Sequence, residues 1–130
     1  MNQLLGEIVS IKEAEGIAFV RVQGEGFALG VMTLKGGLKV GERVRASFKE
    51  SDVMIACKDS PNISARNKFL SSIHSITHNS VLARVKFDFF GCEISSLISY
   101  EALLELGVKE GEEFFWFVKS NEIILESLER

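Results

Sequence analysis

The stretch "NQLLGEIVSI" (2–11) decides how the chain is read, because it returns as "NKFLSSIHSI" (67–76). Asn2, Leu5, Ile8, Ser10 and Ile11 recur as Asn67, Leu70, Ile73, Ser75 and Ile76. The same offset carries Ala18 onto Ala83, Val20 onto Val85 and Gly26 onto Gly91. After a slip of five residues, "KVGERVRASFKESDVMI" (39–55) lies over "KEGEEFFWFVKSNEIIL" (109–125), pairing Gly41 with Gly111, Glu42 with Glu112 and Lys49 with Lys119. A period of about 65–70 residues indicates two copies of one small domain rather than a solenoid. The copies are expected at 1–57 and 62–130, joined through "CKDSPN" (57–62) with Pro61 as its punctuation.

Each copy reads as strands. "FVRVQGEGFALGVMTL" and "ARVKFDFFGCEISSLI" alternate in polarity and break at Gly26 and Gly91, which predicts hairpins. "RVRASF" puts Val44, Ala46 and Phe48 on one face, whereas its counterpart "FFWFV" (114–118) is apolar at every position. Such a strand calls for cover on both faces, from the sister copy or from another subunit. The extra residues of the second copy fall in "SYEALLELGV" (99–108), a short helical turn ending at Gly107. The economical architecture is all-β: two tandem OB-like five-stranded barrels with a helical turn in the second.

Composition narrows the function. The chain has 130 residues, 46% of them hydrophobic, and a formal net charge of −3, so it lacks the basic face that a general nucleic-acid binder needs. No apolar run is long enough to span a membrane, and "MNQLLGEIVSIKE" lacks the flank and cleavage site of a signal peptide; a cytoplasmic protein is expected. Cys57 and Cys92 read as reduced core residues. His74 and His78 have a helical metal-ligand spacing, but Ile76 and Thr77 between them favour a strand. No nucleophile–base order, phosphate loop or close carboxylate pair is present, so an enzyme is not indicated.

With the copies aligned, the chain resembles the molbindin family of tandem Mop/TOBE domains, the di-Mop proteins that bind molybdate and tungstate. The resemblance spans nearly the whole chain. It is carried by "SARNKFL" (64–70), "NSVLARVKFDF" (79–89), "ISSLIS" (94–99), "LGVKEGEEFF" (106–115), "VKSNEIIL" (118–125) and, in the first copy, "FKESDVMIA" (48–56). It implies an oxyanion held between repeats or subunits, with Ser64, Ala65, Arg66 and Asn67 on one wall and Lys119, Ser120 and Ser99 on the other. Thr33, Lys49 and Ser51 are the first copy's offerings at the places taken as equivalent. The first copy begins at Met1-Asn2 and shows no Ser-Ala-Arg, the second reads Lys119-Ser120-Asn121 where the family has Lys-Ala-Ser, and Ala102 replaces a common serine, so some of the sites of a full di-Mop protein are expected to be weakened or missing. The resemblance further implies molybdate or tungstate as the bound ligand, no organic cofactor, no direct nucleic-acid or membrane partner, and a homotrimer.

The residues suit that chemistry on physical grounds. Molybdate is a dianion with four acceptor oxygens and no proton to give near pH 7, so it needs convergent hydroxyls, backbone N–H groups and one or two cations. In an acidic protein those cations must be local. Taken without the resemblance, Arg66 reads first as a surface ion-pair partner, and Lys49 and Lys119 as lysines snorkelling at strand ends. The leading expectation is a cytoplasmic protein for storage or homeostasis of the oxyanion. The alternatives are a sensing or regulatory module acting through a DNA-binding or transporter partner, and a structural TOBE domain with degenerate sites.

Overall fold

The computed structural model describes residues 1–59 and 62–129; Pro61, the expected joint, lies outside them. Among the described residues ten strands form: β1 (Asn2–Ala14), β2 (Ile17–Gln23), β3 (Ala28–Thr33), β4 (Arg43–Phe48), β5 (Met54–Ala56), β6 (Asn67–His78), β7 (Leu82–Phe89), β8 (Cys92–Ser99), β9 (Glu113–Val118) and β10 (Ile124–Ser127). One helix, α1 (Tyr100–Leu106), follows β8. Ser99 caps it, accepting from the Ala102 amide at 3.0 Å, and Gly107 ends it at φ 67°. The expected hairpins are present, with the second turning through Phe90 and Gly91, both at positive φ.

The strands make two five-stranded sheets, ordered β10-β4-β1-β2-β3 and β5-β9-β6-β7-β8, with every pairing antiparallel. This is the expected pair of OB-like units. The long first strand of each serves two neighbours: β1 pairs with β4 along its first half and with β2 along its second. A register shift at Ile8/Ser10 is repeated at Ile73/Ser75, so the bulge that lets the strand bend is itself duplicated.

The alignment of the two copies conceals one feature. Each sheet receives its fifth strand from the other half. β10 pairs with β4, Leu125 opposite Ala46, and β5 pairs with β9, Ile55 opposite Trp116. The core is correspondingly continuous: Phe48 of the first half stacks on Trp116 of the second, with ring centroids 5.9 Å apart. Trp116 Nε1 donates to Ser71 Oγ at 3.0 Å, satisfying the polar atom of that buried ring.

β9 resolves the doubly apolar strand. Phe114, Trp116 and Val118 point into the core, while Phe115 and Phe117 lie half-buried on the outer face. There they run in rows with their neighbours, Leu70–Phe115–Ala56 and Lys68–Phe117–Met54, and the Lys68 ammonium sits 4.9 Å from the Phe115 ring centre. The sister copy adds a strand beside β9 but no layer over it. The matching rows of the first sheet are Leu5–Arg45–Glu126 and Gln3–Ser47–Ile124, where Arg45 and Glu126 form an ion pair.

Candidate functional site

The Ser-Ala-Arg-Asn segment runs into β6, and Lys119-Ser120 runs out of β9. Asn67 and Val118 are the last paired residues of these strands, so Arg66 and Lys119 stand next along the two strands at one end of the sheet. Ala65 is buried, whereas Ser64, Arg66 and Lys119 are exposed. The Arg66 guanidinium is folded back on its own segment, donating to the Ile63 carbonyl at 2.5 Å and more weakly to that of Ser64 at 3.4 Å. Those are acceptors that a bound anion can outbid, because charge-assisted bonds to an anion are stronger than bonds to a neutral carbonyl.

Ser120 opens a 3₁₀ turn, Ser120–Glu122, that packs against β3 of the other half. It is 93% buried (7% exposed), and its Oγ has no hydrogen-bond partner. Among the described residues no other buried side-chain nitrogen or oxygen is left this way. An orphaned buried hydroxyl costs about 1–3 kcal/mol, which an acceptor arriving from outside the chain would recover.

Asn67 stands differently. It is fully buried, its Oδ1 accepts from the Gly30 amide at 2.8 Å, and its Nδ2 donates to the carbonyls of Gly30 at 2.9 Å and Val118 at 3.2 Å. Both donor hydrogens and an acceptor lone pair are therefore committed to backbone. Asn2 makes the reciprocal grip on Ser95, accepting from its amide at 2.8 Å and donating to its carbonyl at 2.9 Å. The sequence showed these asparagines as matched positions but not as clasps between the halves. A polar residue recurring at the head of an apolar strand was the signal.

The hydroxyls group otherwise than the sequence suggested. The resemblance sets Ser99 with Lys119, and Thr33 with Lys49. In the structure β8, which ends at Ser99, packs against the 3₁₀ turn Glu50–Asp52 that follows Lys49, whereas β3, which ends at Thr33, packs against the turn that follows Lys119. Strand exchange causes this crossing, since each turn leads into the strand given to the other half. Thr33 and Ser99 are also one register step apart: Thr33 pairs with Ala18, while Ala83 pairs with Ile98. Thr33 Oγ1 accepts from the Lys35 amide at 3.0 Å, and the Ser99 hydroxyl is the helix cap described above. Lys49 and Ser51 are both exposed.

Sequence reasoning missed Glu50 and Arg84. Arg84 Nε donates to Glu50 Oε1 at 2.7 Å, and Nη2 to Oε2 at 3.4 Å, joining the first-half turn to β7. The hydrogen bond from Arg84 holds the Glu50 carboxyl below its ordinary range, against a smaller opposing effect of burial. Nothing local in the sequence announces a pair 34 residues apart. Of the remaining candidates, His74 and His78 lie on strand β6, and no cluster of three metal-ligating side chains occurs among the described residues. Cys92 is exposed rather than core, and Cys57 is half-buried. A cleft of about 880 Å³ lies elsewhere, between Leu5, Val9, Phe27, Phe90, Arg43 and Arg45, and contains none of the candidate groups of the Ser64–Asn67 and Lys119–Ser120 segments.

No protein-family model matches the chain. A stretch of 65 residues, 49% of the chain, is 37% identical to 96% of molybdenum-pterin-binding protein 2 of Clostridium pasteurianum. The chain belongs to the molybdenum-pterin-binding, or Mop, family. Two further Clostridium pasteurianum members, molybdenum-pterin-binding proteins 3 and 1, match at 32% and 34% identity over the same length. A Mop relative thus corresponds to half of this chain, in keeping with the internal repeat. The Mop-family fold extends to a solved structure, the cytoplasmic molybdate-binding protein ModG with molybdate bound, at a TM-score of 0.89 and 28% identity over 95% of this chain and 94% of that one. The molybdate/tungstate import ATP-binding protein WtpC of Pyrococcus abyssi is 29% identical over 126 residues, 90% of this chain but 36% of its own length. The chain spans about a third of the length of that transporter relative.

Proposed function

We propose that the chain binds molybdate or tungstate as an intact tetrahedral dianion and holds it in the cytoplasm for storage or homeostasis, without catalysing a reaction. The observation that carries this reading is the Ser120 hydroxyl, buried without a partner at the sheet end shared by Arg66 and Lys119. It offers a donor to a group that only accepts. Lys119 and Arg66 supply local positive charge, Ser64 a second hydroxyl, and Ala65 a small side chain that lets the backbone approach. Asn67 acts here as a positioning residue. Its clasp on Gly30 and Val118 fixes β3 of one half against the strand that leads to Lys119. Thr33 ends the strand that packs against the turn after Lys119, and Ser99 ends the strand that packs against the turn after Lys49, which carries Ser51.

The reading treats 1–57 and 62–130 as two Mop/TOBE repeats that have exchanged their last strands. It includes a homotrimer, supported by the outer face of β9, where Phe115 and Phe117 sit between the exposed Leu70 and Met54. The net charge of −3 supports the absence of a direct nucleic-acid partner. A second reading is favoured by the match to the transporter ATP-binding protein over most of this chain. On that reading the same module senses or delivers the oxyanion through a transporter or DNA-binding partner, and copurification with such a partner separates it from storage.

Calorimetric titration with four anions tests the binding itself. A pocket of neutral donors and few cations favours a large unprotonated dianion over sulfate by size, and over phosphate because phosphate keeps a proton that would face only donors. Molybdate and tungstate are expected to bind at least about tenfold more tightly than sulfate, a gap of roughly 1.4 kcal/mol. Equal affinities for all four would contradict the reading.

A further inference from the structure

The two ends of the molecule are built on one backbone plan but carry opposite chemistry. β4 and β9 both run into a lysine and then a 3₁₀ turn, Lys49 into Glu50–Asp52 and Lys119 into Ser120–Glu122. The dihedrals agree closely: φ −76°, ψ 144° at Lys49 against φ −71°, ψ 148° at Lys119. The turns leave alike too, at φ −89°, ψ 120° for Val53 and φ −94°, ψ 132° for Ile123. Strand pairing fixes the correspondence, since Phe48 pairs with Asn2 as Val118 pairs with Asn67. Glu50 therefore stands where Ser120 stands.

The residue at the register position of Arg84 changes in step. Arg84 on β7 holds Glu50 through two hydrogen bonds. Its counterpart on β2 is Phe19, because Ala18 matches Ala83, and Phe19 pairs with Met32 as Arg84 pairs with Leu97. One end thus has a carboxylate locked to a guanidinium, and the other an unpartnered hydroxyl without that cation.

We propose that Glu50 is a built-in anion that closes the first-half counterpart of the oxyanion site, leaving one open site of this kind in each chain. This rests on the reading that the Ser120 end binds the oxyanion. An ionised carboxylate has no proton to offer a dianion and repels it, and it already occupies the nearest cation. The Arg84 hydrogen bonds, which keep the Glu50 carboxyl below the usual range, maintain that charge at neutral pH. In Glu50→Ser the carboxylate is gone, and Arg84, Lys49 and the new hydroxyl become free to hold an external anion.

The test is the number of molybdate ions bound per chain, by equilibrium dialysis with elemental analysis, for the wild type, Glu50→Ser and Ser120→Glu. Circular dichroism and oligomer size serve as controls. The wild type is expected to bind one per chain at these positions, Glu50→Ser to gain about one more, and Ser120→Glu to lose at least about a hundredfold in affinity. An unchanged count in Glu50→Ser overturns the inference, as does a wild type with two equivalents. A wild type that binds none defeats instead the functional reading beneath it, so the two failures are distinguishable. If Ser120→Glu does not fold, Glu50→Ser still decides the matter.

Discussion

At the scale of single residues, hydrogen bonding rather than burial separates the clasp from the proposed donor. Asn67 and Ser120 were both expected on the walls of the site, and both are more than nine-tenths buried. Asn67 has three backbone hydrogen bonds and Ser120 has none. Asn67→Ala would strand the amide and carbonyl of Gly30 between the halves, at an expected cost of about 2–4 kcal/mol. Urea denaturation reads this directly, and a change below about 0.5 kcal/mol would mean that the clasp is replaceable by water. That the segments of Arg66, Asn67, Lys119 and Ser120 lie together at one end of the second sheet was legible in the sequence through the resemblance. The division of labour among them was not, because Gly30 lies 37 residues from Asn67 and no local pattern links the two.

At the scale of elements, polarity patterns told faces and left neighbours open. The alternation in "RVRASF" places Val44, Ala46 and Phe48 inward, as the structure has them. "FFWFV" gave no face by itself, and backbone geometry alone decides that Phe115 and Phe117 turn outward. The exchange of β5 and β10 was invisible for a related reason. A strand of three or four residues satisfies the same pairing rules in either sheet, and side-chain periodicity says nothing about which. The outer face of β9 carries a prediction of its own. Phe117→Ser is expected to shift the proposed trimer towards monomer in sedimentation velocity while leaving the far-ultraviolet circular dichroism intact, since this side chain faces outward and obligate interfaces depend on such apolar patches. A variant that stays trimeric would place the subunit interface elsewhere.

At the scale of the whole molecule, the duplicated half is legible in the sequence but the joined whole is not. Exchanged strands, reciprocal asparagine clasps and the Phe48–Trp116 stack tie each half's core to the other's. The protein is therefore expected to unfold in one transition. Fluorescence of Trp116, the single tryptophan, reports on the second sheet, whereas circular dichroism reports on both. Coincident denaturant midpoints are the expected result, and midpoints that separate would mean that the halves are independent units. The same interlocking frames the proposed site, because the turn bearing Ser120 belongs to one half and the strand it packs on belongs to the other.

The central claim is that an oxyanion binds at the sheet end where Arg66 precedes β6 and Lys119 follows β9, beside the turn that buries the Ser120 hydroxyl. Calorimetric titration of molybdate into the wild type, Arg66→Ala and Lys119→Ala tests it most directly, with circular dichroism and oligomer size as controls. Each substitution removes a charge-assisted hydrogen bond to a largely desolvated dianion. The expected loss is on the order of 2–4 kcal/mol in each, well beyond that of a surface ion pair, with the fold retained because both side chains are exposed. Unchanged affinity in both variants, with the assembly intact, would contradict the account.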